Sequence, residues 1–319
     1  MELLSELEGL VSEARNPRTD QLDRMSAIEL VRAMNGEDHA VAAAVARVLP
    51  EVAEAVGCIV AAFSVGGRLV YVGAGTSGRL GVLDASECPP TFGVDESMVV
   101  GLIAGGDHAL RHAVEGAEDD EAAAIADLQR IGFAATDVLV GLAASGRTPY
   151  AGSALRYARS LGARAIAVTC NPGSPITRDA DISIAAEVGP EVLAGSTRLK
   201  SGTAQKLILN MLTTASMVRM GKVFGNLMVD LRATNEKLRA RAVRIVVQAT
   251  GCSTEQAREA LAGANHNTKL AVFVLLSGLD TPQAAARLAE ARGILRAALD
   301  AAQIRGGGSE FVQARETSR

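Results

Sequence analysis

Tryptophan is absent from the 319 residues, and the other aromatic residues are few, with three Tyr and six Phe. A chain so poor in aromatic side chains has little with which to stack nucleic-acid bases. It has no basic excess either, because 32 Lys and Arg oppose 36 Asp and Glu, giving a formal net charge of −4. The composition therefore argues against a nucleic-acid-binding protein and against electrostatic attachment to a membrane.

Cysteine is also scarce: Cys58, Cys88, Cys170 and Cys252 form no Cys-x-x-Cys pair. This spacing gives no support to zinc ribbons, thioredoxin-like motifs or disulfide scaffolds, and it suits a reducing compartment. No uncharged run exceeds 13 residues, whereas a membrane-spanning helix needs about 20. The segment 1–16 has an excess of acidic residues and shows no signal-peptide pattern. We therefore expect a soluble cytoplasmic protein without nucleic-acid or membrane partners.

Aliphatic runs alternate with helical patterns through the middle of the chain. Five runs, most of them bounded by Gly, Pro or Asn, predict strands at 69–73, 98–104, 137–143, 163–169 and 182–185. Helical patterns lie between most of them, most clearly at 121–130 and 149–161. Alternating strands and helices indicate βαβ units and a parallel sheet. Residues 56–222 are thus predicted to form a doubly wound α/β domain.

Helical patterns flank this domain on both sides. A capping box at Ser26 and Glu29 begins a helix over 27–34 that Asn35-Gly36 ends, and a second helix over 39–65 bends at Pro50. After a helix over 200–219, further helices are predicted at 230–238, 239–250, 254–263, 269–277 and 282–299. We expect an N-terminal helical segment (1–55), the α/β domain (56–222), a C-terminal helical domain (223–304) and a disordered tail (305–319).

A glycine-rich loop, Gly73-Ala-Gly75-Thr-Ser-Gly78, follows the first predicted strand. It has the literal form of a dinucleotide fingerprint, but the acidic residue after the second strand, Asp107, lies 29 residues past the last glycine instead of about 20. Loop N–H groups, two hydroxyls and the start of a helix suit a phosphate group better. Gly75, Thr76, Ser77 and Gly78 are therefore candidate phosphate-binding residues.

The same layout recurs after the third strand, where Ser145, Arg147 and Thr148 are candidates for binding phosphate. A third Ser/Thr-Gly stretch, 195–203, contributes Ser196. Because ligands of open α/β sheets bind beyond the carboxyl ends of the strands, converging loops of this kind favour a small sugar phosphate over a dinucleotide. Ordinary βα turns remain the alternative interpretation.

Acidic motifs supply candidate proton-transfer groups. Glu87 precedes a double proline that is expected to end its helix, and Glu118 precedes Asp119-Asp120, which suits the start of the next helix. Glutamates in such places are more often surface or capping groups. Cys88 is interpreted as a small buried hydrophobic residue. His108 and His112 lack the Glu of H-E-x-x-H and an evident third ligand, so we expect no metal site.

Together these motifs resemble those of the N-acetylmuramic acid 6-phosphate etherases. The resemblance rests on residues 72–80, 84–91, 113–119, 195–206 and 221–230, including Gly-Thr-Ser-Gly-Arg and Ser-Glu-Cys-Pro-Pro, and covers about residues 20–299. It implies a sugar isomerase (SIS) domain with helical flanks, a homodimer and no cofactor. It also implies that Glu87 and Glu118 are the catalytic pair, in a reaction that removes D-lactate from carbon 3 and leaves N-acetylglucosamine 6-phosphate.

Two carboxyl groups suffice for the implied reaction. Once the sugar ring opens, the C1 aldehyde acidifies the C2 proton. Glu118 is assigned as the base that removes this proton, and Glu87 as the acid that protonates the departing lactate oxygen. Water then adds at C3. Two alternatives stay open. One is an aldose–ketose isomerase, which shares C2 deprotonation. The other is a sugar-phosphate-sensing regulator like the glucokinase regulatory protein, which has two SIS domains where this chain has room for one.

Overall fold

A five-stranded parallel sheet forms the centre of the computed structural model, which describes residues 9–231 and 235–305. The strand order is β2-β1-β3-β4-β5. The strands are β1 (Leu69–Gly73), β2 (Val99–Ile103), β3 (Val138–Leu142), β4 (Arg164–Thr169) and β5 (Ile182–Ala185). Each bound lies within one residue of its predicted position, and the predicted α/β parallel-sheet fold is confirmed.

Two helices precede the sheet, α1 (Ala27–Ala46) and α2 (Leu49–Ser64). The capping box at Ser26 and Glu29 begins α1 as predicted. The predicted stop at Asn35-Gly36 is wrong, because a glycine ends a helix when it adopts a positive φ, and Gly36 is not among the positive-φ glycines. Pro50 lies in the first turn of α2, where a proline costs no helical hydrogen bond. The break therefore falls at residues 47–48.

Helices cover both faces of the sheet. Helices α3 (Gly75–Phe92), α4 (Glu121–Arg130), α5 (Pro149–Ser160), α6 (Pro175–Arg178) and α7 (Lys200–Arg219) follow in chain order. Helices α4 and α5 pack on the face that carries Val70 and Leu139. On the other face, a Cβ at Gly81 of α3 would lie 2.9 Å from the Tyr71 Cβ. Strands buried on both faces explain the continuous aliphatic runs of β1 and β3.

The double proline does not end α3 where it was predicted to. Pro89 and Pro90 lie inside its last turn, and the helix continues to Phe92. The backbone N–H of Gly93 still donates to the carbonyl of Pro89 at 2.9 Å, so this turn closes although the two prolines donate nothing. The helix that carries Glu87 is consequently longer than the sequence indicated.

The C-terminal part of the chain is helical in the described residues beyond 235. Its helices are α8 (Glu236–Thr250), α9 (Thr254–Gly263), α10 (Thr268–Ser277), α11 (Thr281–Glu290) and α12 (Leu295–Arg305), which bury a core of their own around Val246 and Phe273. The predicted helix over 230–238 is wrong at its start: Asp230 and Leu231 are not helical, 232–234 lie outside the described residues, and Asn235 caps α8.

The predicted helix over 282–299 is two helices, because Arg292 and Gly293 adopt positive φ values of 53° and 74° between α11 and α12. Of the predicted tail, Arg305 is the last residue of α12 and 306–319 lie outside the described residues. The described residues form two compact units, one up to Cys88 together with Val94–Ser216, and the other Pro89–Gly93 together with the residues from Met217 onwards. Within the described ranges, none of the helices has both the length and the hydropathy needed to cross a bilayer.

Candidate active site

The two predicted phosphate loops leave neighbouring strands. In the sheet register Gly73, at the end of β1, pairs with Leu142, at the end of β3. The strand order changes direction between these two strands, and ligands of open α/β sheets bind at such a point, beyond the carboxyl ends. The structure therefore brings together the first loop (73–78) and the second loop (143–148).

Close packing explains the glycines of the first loop. A Cβ at Gly78 would lie 2.6 Å from the Gly73 carbonyl oxygen, so α3 could not begin so near the end of β1 with a larger residue there. Gly75 has a φ of 52° and begins α3. The N-terminus of α3, with Thr76 and Ser77 in its first turn, thus lies directly beyond β1. It offers N–H groups and the positive end of a helix dipole.

Ser77 is not a free hydroxyl. Its Oγ donates to Oε1 of Gln205 on α7 at 2.8 Å, and both side chains are buried. The Nε2 of Gln205 has no hydrogen-bond partner among the residues that the structure describes. Gln205 is therefore part of the first loop's surroundings. The sequence contained it within the 195–206 motif, but gave no sign that it contacts Ser77.

The second loop is shaped by Gly146, which has a φ of 73° and whose Cβ would lie 1.9 Å from the Ser174 Oγ. Ser145 accepts a hydrogen bond from the backbone N–H of Arg147 at 3.3 Å, which leaves the serine hydrogen free to donate to a ligand. Thr148 is the residue before α5, and its hydroxyl makes no capping bond to that helix. The second loop thus presents hydroxyls at a helix start.

Two cavities adjoin these loops. The first cavity, of about 330 Å³, is lined by residues 74, 75, 79, 104, 109 and 112–118. The second cavity, of about 510 Å³, is lined by Glu13, Glu118, Asp119, Ser145, Arg147, Thr148, Pro149 and Thr197. Glu118 lines both cavities. It belongs to the short 3₁₀ helix Ala117–Asp119, which follows the left-handed Gly116 and precedes Asp120, the N-cap of α4.

Arg79 forms one wall of the first cavity. Its guanidinium donates to the carbonyl oxygens of Ala109 at 2.6 Å and Leu110 at 3.0 Å, and more weakly to that of His112 at 3.5 Å. These bonds attach the segment after β2 to the first turns of α3. The rings of His108 and His112 stack, with centroids 4.6 Å apart. Among the described residues no group of three or more His, Cys, Asp or Glu is arranged to hold a metal.

Glu87 lines a different cavity from Glu118. This third cavity, of about 240 Å³, lies between α3 and α7 and is lined by Leu80, Leu83, Asp84, Glu87, Lys206, Leu209 and Asn210. Glu87 lies ten positions after Ser77 in α3, which corresponds to about 15 Å along the helix axis. Within a single chain, the structure does not bring the two predicted catalytic glutamates into one cavity.

Two groups beside Glu87 have shifted pKa values. Burial raises the pKa of Asp84 to about 6, although Tyr71 at 2.9 Å and Thr213 at 3.2 Å donate to its carboxylate and oppose the shift. Burial also raises the pKa of the Cys88 thiol to about 12. A thiol that stays protonated is a poor nucleophile, which agrees with the interpretation of Cys88 as a small buried residue.

Ser196 lies in the turn before α7 and does not line the first, second or third cavity, whereas its neighbour Thr197 lines the second. The first amides of α7 are already bound: the carboxylate of Glu191 accepts from the N–H groups of Lys200 at 3.0 Å and Ser201 at 2.9 Å. These amides are therefore not available to a phosphate. Thr197 is a candidate that the sequence interpretation passed over, although the same Ser-Thr pair signalled it.

Family models identify the class of protein to which this fold and site belong. The N-terminal SIS domain of the glucokinase regulatory protein matches residues 51–159, the SIS domain matches 120–215, and the C-terminal lid domain of the glucokinase regulatory protein matches 225–272. Phosphoheptose isomerases from Neisseria gonorrhoeae and Francisella tularensis are similar at 18% identity. They cover 60% and 61% of this chain and 98% and 100% of their own, with TM-scores of 0.46 and 0.43. The family models show that the chain is a SIS-domain protein.

Full-length relatives define the family more narrowly. The N-acetylmuramic acid 6-phosphate etherase of Brucella anthropi is 60% identical over 94% of this chain and 97% of its own length. That of Actinobacillus succinogenes is 61% identical over 93% and 98%, and the etherase 2 of Vibrio cholerae is 59% identical over 93% and 97%. The chain belongs to the N-acetylmuramic acid 6-phosphate etherase family.

Proposed function

We propose that this chain cleaves the lactyl ether of N-acetylmuramic acid 6-phosphate by eliminating D-lactate and adding water, which gives N-acetylglucosamine 6-phosphate. The observation that carries the proposal is the position of Glu118, a carboxylate that lines both cavities beside the two phosphate-loop candidates. A base so placed is next to a sugar whose phosphate binds at the loops. The four unpaired cysteines suit a reducing compartment, and we place the reaction in the cytoplasm.

The phosphate would bind where the first turns of α3 and α5 begin. In the first loop, Gly75, Thr76 and Ser77 supply backbone amides and Thr76 a hydroxyl, whereas the Gly78 N–H already donates to the Ala74 carbonyl at 3.1 Å. Ser145, Arg147 and Thr148 supply the polar groups of the second loop. A dianion at two helix starts is favoured by the amide N–H groups and by the helix dipoles. Thr197 joins this set from the turn before α7, in the place for which Ser196 was predicted.

Glu118 and Glu87 have different tasks in the reaction. In the opened sugar, Glu118 takes the C2 proton, which the C1 aldehyde acidifies. The electrons form the C2–C3 double bond while the C3–O bond breaks, and Glu87 supplies the proton to the leaving lactate oxygen. Water then adds at C3 of the unsaturated aldehyde and gives one proton to Glu87, while Glu118 returns its proton to C2. The mechanism needs one carboxylate and one carboxylic acid.

A homodimer would reconcile this mechanism with the separation of the two glutamates. One chain places Glu87 in the third cavity and Glu118 between the first and second. We propose that the chain forms a symmetric homodimer in which Glu87 of one protomer faces the Glu118 cavities of the other. A two-fold axis creates two such sites at once.

The two alternatives are less well supported. The relatives at about 60% identity carry the etherase name over nearly their whole length, which favours etherase over aldose–ketose isomerase. The regulatory-protein alternative draws on the family models of the glucokinase regulatory protein. A sensor would bind the sugar phosphate without releasing lactate, so the same assay separates it from the enzyme.

The test is incubation with N-acetylmuramic acid 6-phosphate and detection of lactate. In ¹⁸O-labelled water, elimination and addition put one labelled oxygen on C3 of the product; label in the lactate would overturn the mechanism. Glu118→Gln should lose both lactate release and exchange of the C2 hydrogen with solvent. Glu87→Gln should lose lactate release but keep exchange of the C2 hydrogen. Each loss should be about 10²- to 10⁴-fold. Glu96→Gln, on an exposed loop, is the control.

A further inference from the structure

The first cavity is lined by a histidine, His112, that the proposed mechanism has not used. His112 lines this cavity together with Glu115 and Glu118. The mechanism, on the other hand, leaves one proton transfer without a group to perform it. The substrate is a cyclic hemiacetal, and its C2 proton becomes acidic only after the ring has opened to the C1 aldehyde.

Ring opening needs a group that both accepts and donates a proton. The proton of the C1 hydroxyl must leave, its electron pair must form the C1–O carbonyl, and the ring oxygen must receive a proton as the C1–O5 bond breaks. An imidazole suits this exchange because one ring nitrogen accepts a proton while the other carries one to donate, whereas an ionised carboxylate is an acceptor alone. We propose that His112 opens the sugar ring, by accepting the C1 hydroxyl proton and returning it to the ring oxygen.

The position of His112 relative to Glu118 supports the assignment, which rests on the proposed function. C1 is bonded to C2, so the group that acts at C1 must lie next to the base that acts at C2. In the first cavity His112 and Glu118 are six residues apart on one loop and line the same space. A volume of about 330 Å³ is within the range of small-molecule sites.

The turn that leads into His112 is held in place by hydrogen bonds. Arg79 donates to the carbonyl oxygens of Ala109 and Leu110, and the His112 backbone N–H donates to the carbonyl of His108 at 3.1 Å. The His108 ring stacks on the His112 ring and limits its rotation. These contacts restrain the position of the His112 ring, and a general acid–base group must be positioned in this way.

Glu115 is the other titratable group of this cavity that the mechanism leaves unused, and it is less suited to the task. A carboxylate accepts a proton but has none to donate to the ring oxygen, whereas an imidazole can do both. Glu118 is already committed to C2. The assignment to His112 therefore uses each group for a step that its chemistry favours.

Anomer exchange of N-acetylglucosamine 6-phosphate isolates this step, because interconversion of the α and β forms requires ring opening but no lactate release. We expect the wild type to accelerate the exchange, measured by magnetisation transfer between the two anomeric protons in NMR. His112→Ala should slow the catalysed exchange by about 10²-fold, and added imidazole should restore part of it. His39→Gln, on the exposed face of α1, is the matched control and should exchange as the wild type does.

Three results would overturn the proposal. These are a His112→Ala variant that exchanges at the wild-type rate, a loss of exchange that imidazole does not restore, and a wild type that releases lactate without accelerating exchange. The last result would leave the proposed function intact. A wild type that releases no lactate from N-acetylmuramic acid 6-phosphate would instead refute the function itself. Thermal unfolding of each variant shows whether the fold is kept.

Discussion

A serine hydroxyl has one hydrogen to donate, and the two loop serines use it differently. Ser77 donates to Gln205, whereas Ser145 accepts from Arg147 and keeps its hydrogen for a ligand. We expect Ser145→Ala to raise KM for the sugar phosphate with little change in stability. Ser77→Ala should weaken binding indirectly, because the contact with Gln205 holds the first loop in place. It should also lower the free energy of unfolding by about 1–3 kcal/mol, because the buried Gln205 oxygen loses its donor.

Steady-state kinetics and urea unfolding of both variants check these expectations. A Ser145→Ala enzyme with the wild-type KM would show that the second loop does not bind phosphate. If Ser77→Ala were as stable as the wild type, the contact between Ser77 and Gln205 would contribute nothing measurable to the fold.

Asp84 makes the stability of the protein depend on pH. Its pKa of about 6 in the folded chain exceeds the ordinary value of 3.8, so the folded state binds this proton more tightly than the unfolded state. The free energy of unfolding should therefore fall as pH rises from about 4 to about 6 by on the order of 2–3 kcal/mol. Asp84→Asn carries no charge and should escape this loss.

The measurement is urea unfolding of the wild type and Asp84→Asn at about pH 4.5 and about pH 7.5. Relative to the wild type, the variant should gain stability at the higher pH. If the free energies of unfolding of the variant and the wild type differed by the same amount at both pH values, the pKa shift of Asp84 would be contradicted. Asp38→Asn, at an exposed position on α1, controls for removing an acidic group.

The candidate site residues predicted from the sequence are those whose residue type and local spacing suggest a chemical role. Glycines before a helix start and hydroxyls beside them can be recognised from spacing alone, as at Gly75, Gly78 and Gly146. Contacts across the fold cannot be read in this way. The bond from Ser77 to Gln205 joins residues 128 positions apart, and Arg79 binds carbonyls 30 and 31 residues away. Their partners become known only from the packing of helices on the sheet.

Among the elements, α7 depends on a carboxylate at its start. Glu191 is fully buried and accepts from the N–H groups of Lys200 and Ser201 and from the Ser201 hydroxyl. Glu191→Ala should lower the free energy of unfolding by about 3 kcal/mol, because three buried donors lose their acceptor. It should also raise KM, because the turn that carries Thr197 immediately precedes these residues.

Glu187→Gln is the matched control for this prediction, since Glu187 is exposed shortly before Glu191 in the chain. Chemical denaturation measures the free energy of unfolding, and steady-state kinetics measure KM. A Glu191→Ala variant with wild-type stability would mean that water replaces the carboxylate at the helix start without loss.

Element boundaries followed from the sequence where burial is uniform and failed where single residues decide. All five strands were predicted to within one residue. In β1 and β3, burial of every residue imposes continuous aliphatic runs, whereas β2 and β5 include partly buried positions. The helices 27–34 and 282–299 were placed wrongly. Gly36 stays in a helical conformation, whereas Arg292 takes a positive φ that its residue type does not announce. The conformation of one residue depends on packing that periodicity does not record.

At the scale of the whole molecule, the sheet topology connects sequence to function. Two similar loops are far apart in the chain, and the pairing of β1 with β3 makes them neighbours. The parallel order 2-1-3-4-5 puts both helix starts on the same edge. The sequence predicted this convergence because alternating strands and helices leave few topologies. It did not predict that Glu87 and Glu118 would line separate cavities of one chain.

The proposed homodimer gives this separation a direct test. Light scattering at micromolar concentration should report about twice the chain mass of 32.9 kDa. If each site combines Glu87 of one protomer with Glu118 of the other, mixing the inactive Glu87→Gln and Glu118→Gln proteins and allowing subunits to exchange should restore lactate release. Half of the dimers would be mixed and each would contain one intact site, so about a quarter of the wild-type rate is expected.

The same mixture distinguishes a shared site from a site within one chain. In a site built from a single protomer, every subunit of the mixture would lack one glutamate, and no activity would return. Subunit exchange is verified independently by mixing differently tagged proteins and isolating dimers that carry both tags. Mixed dimers without lactate release would contradict the shared site, and a clean monomer in light scattering would contradict the homodimer itself.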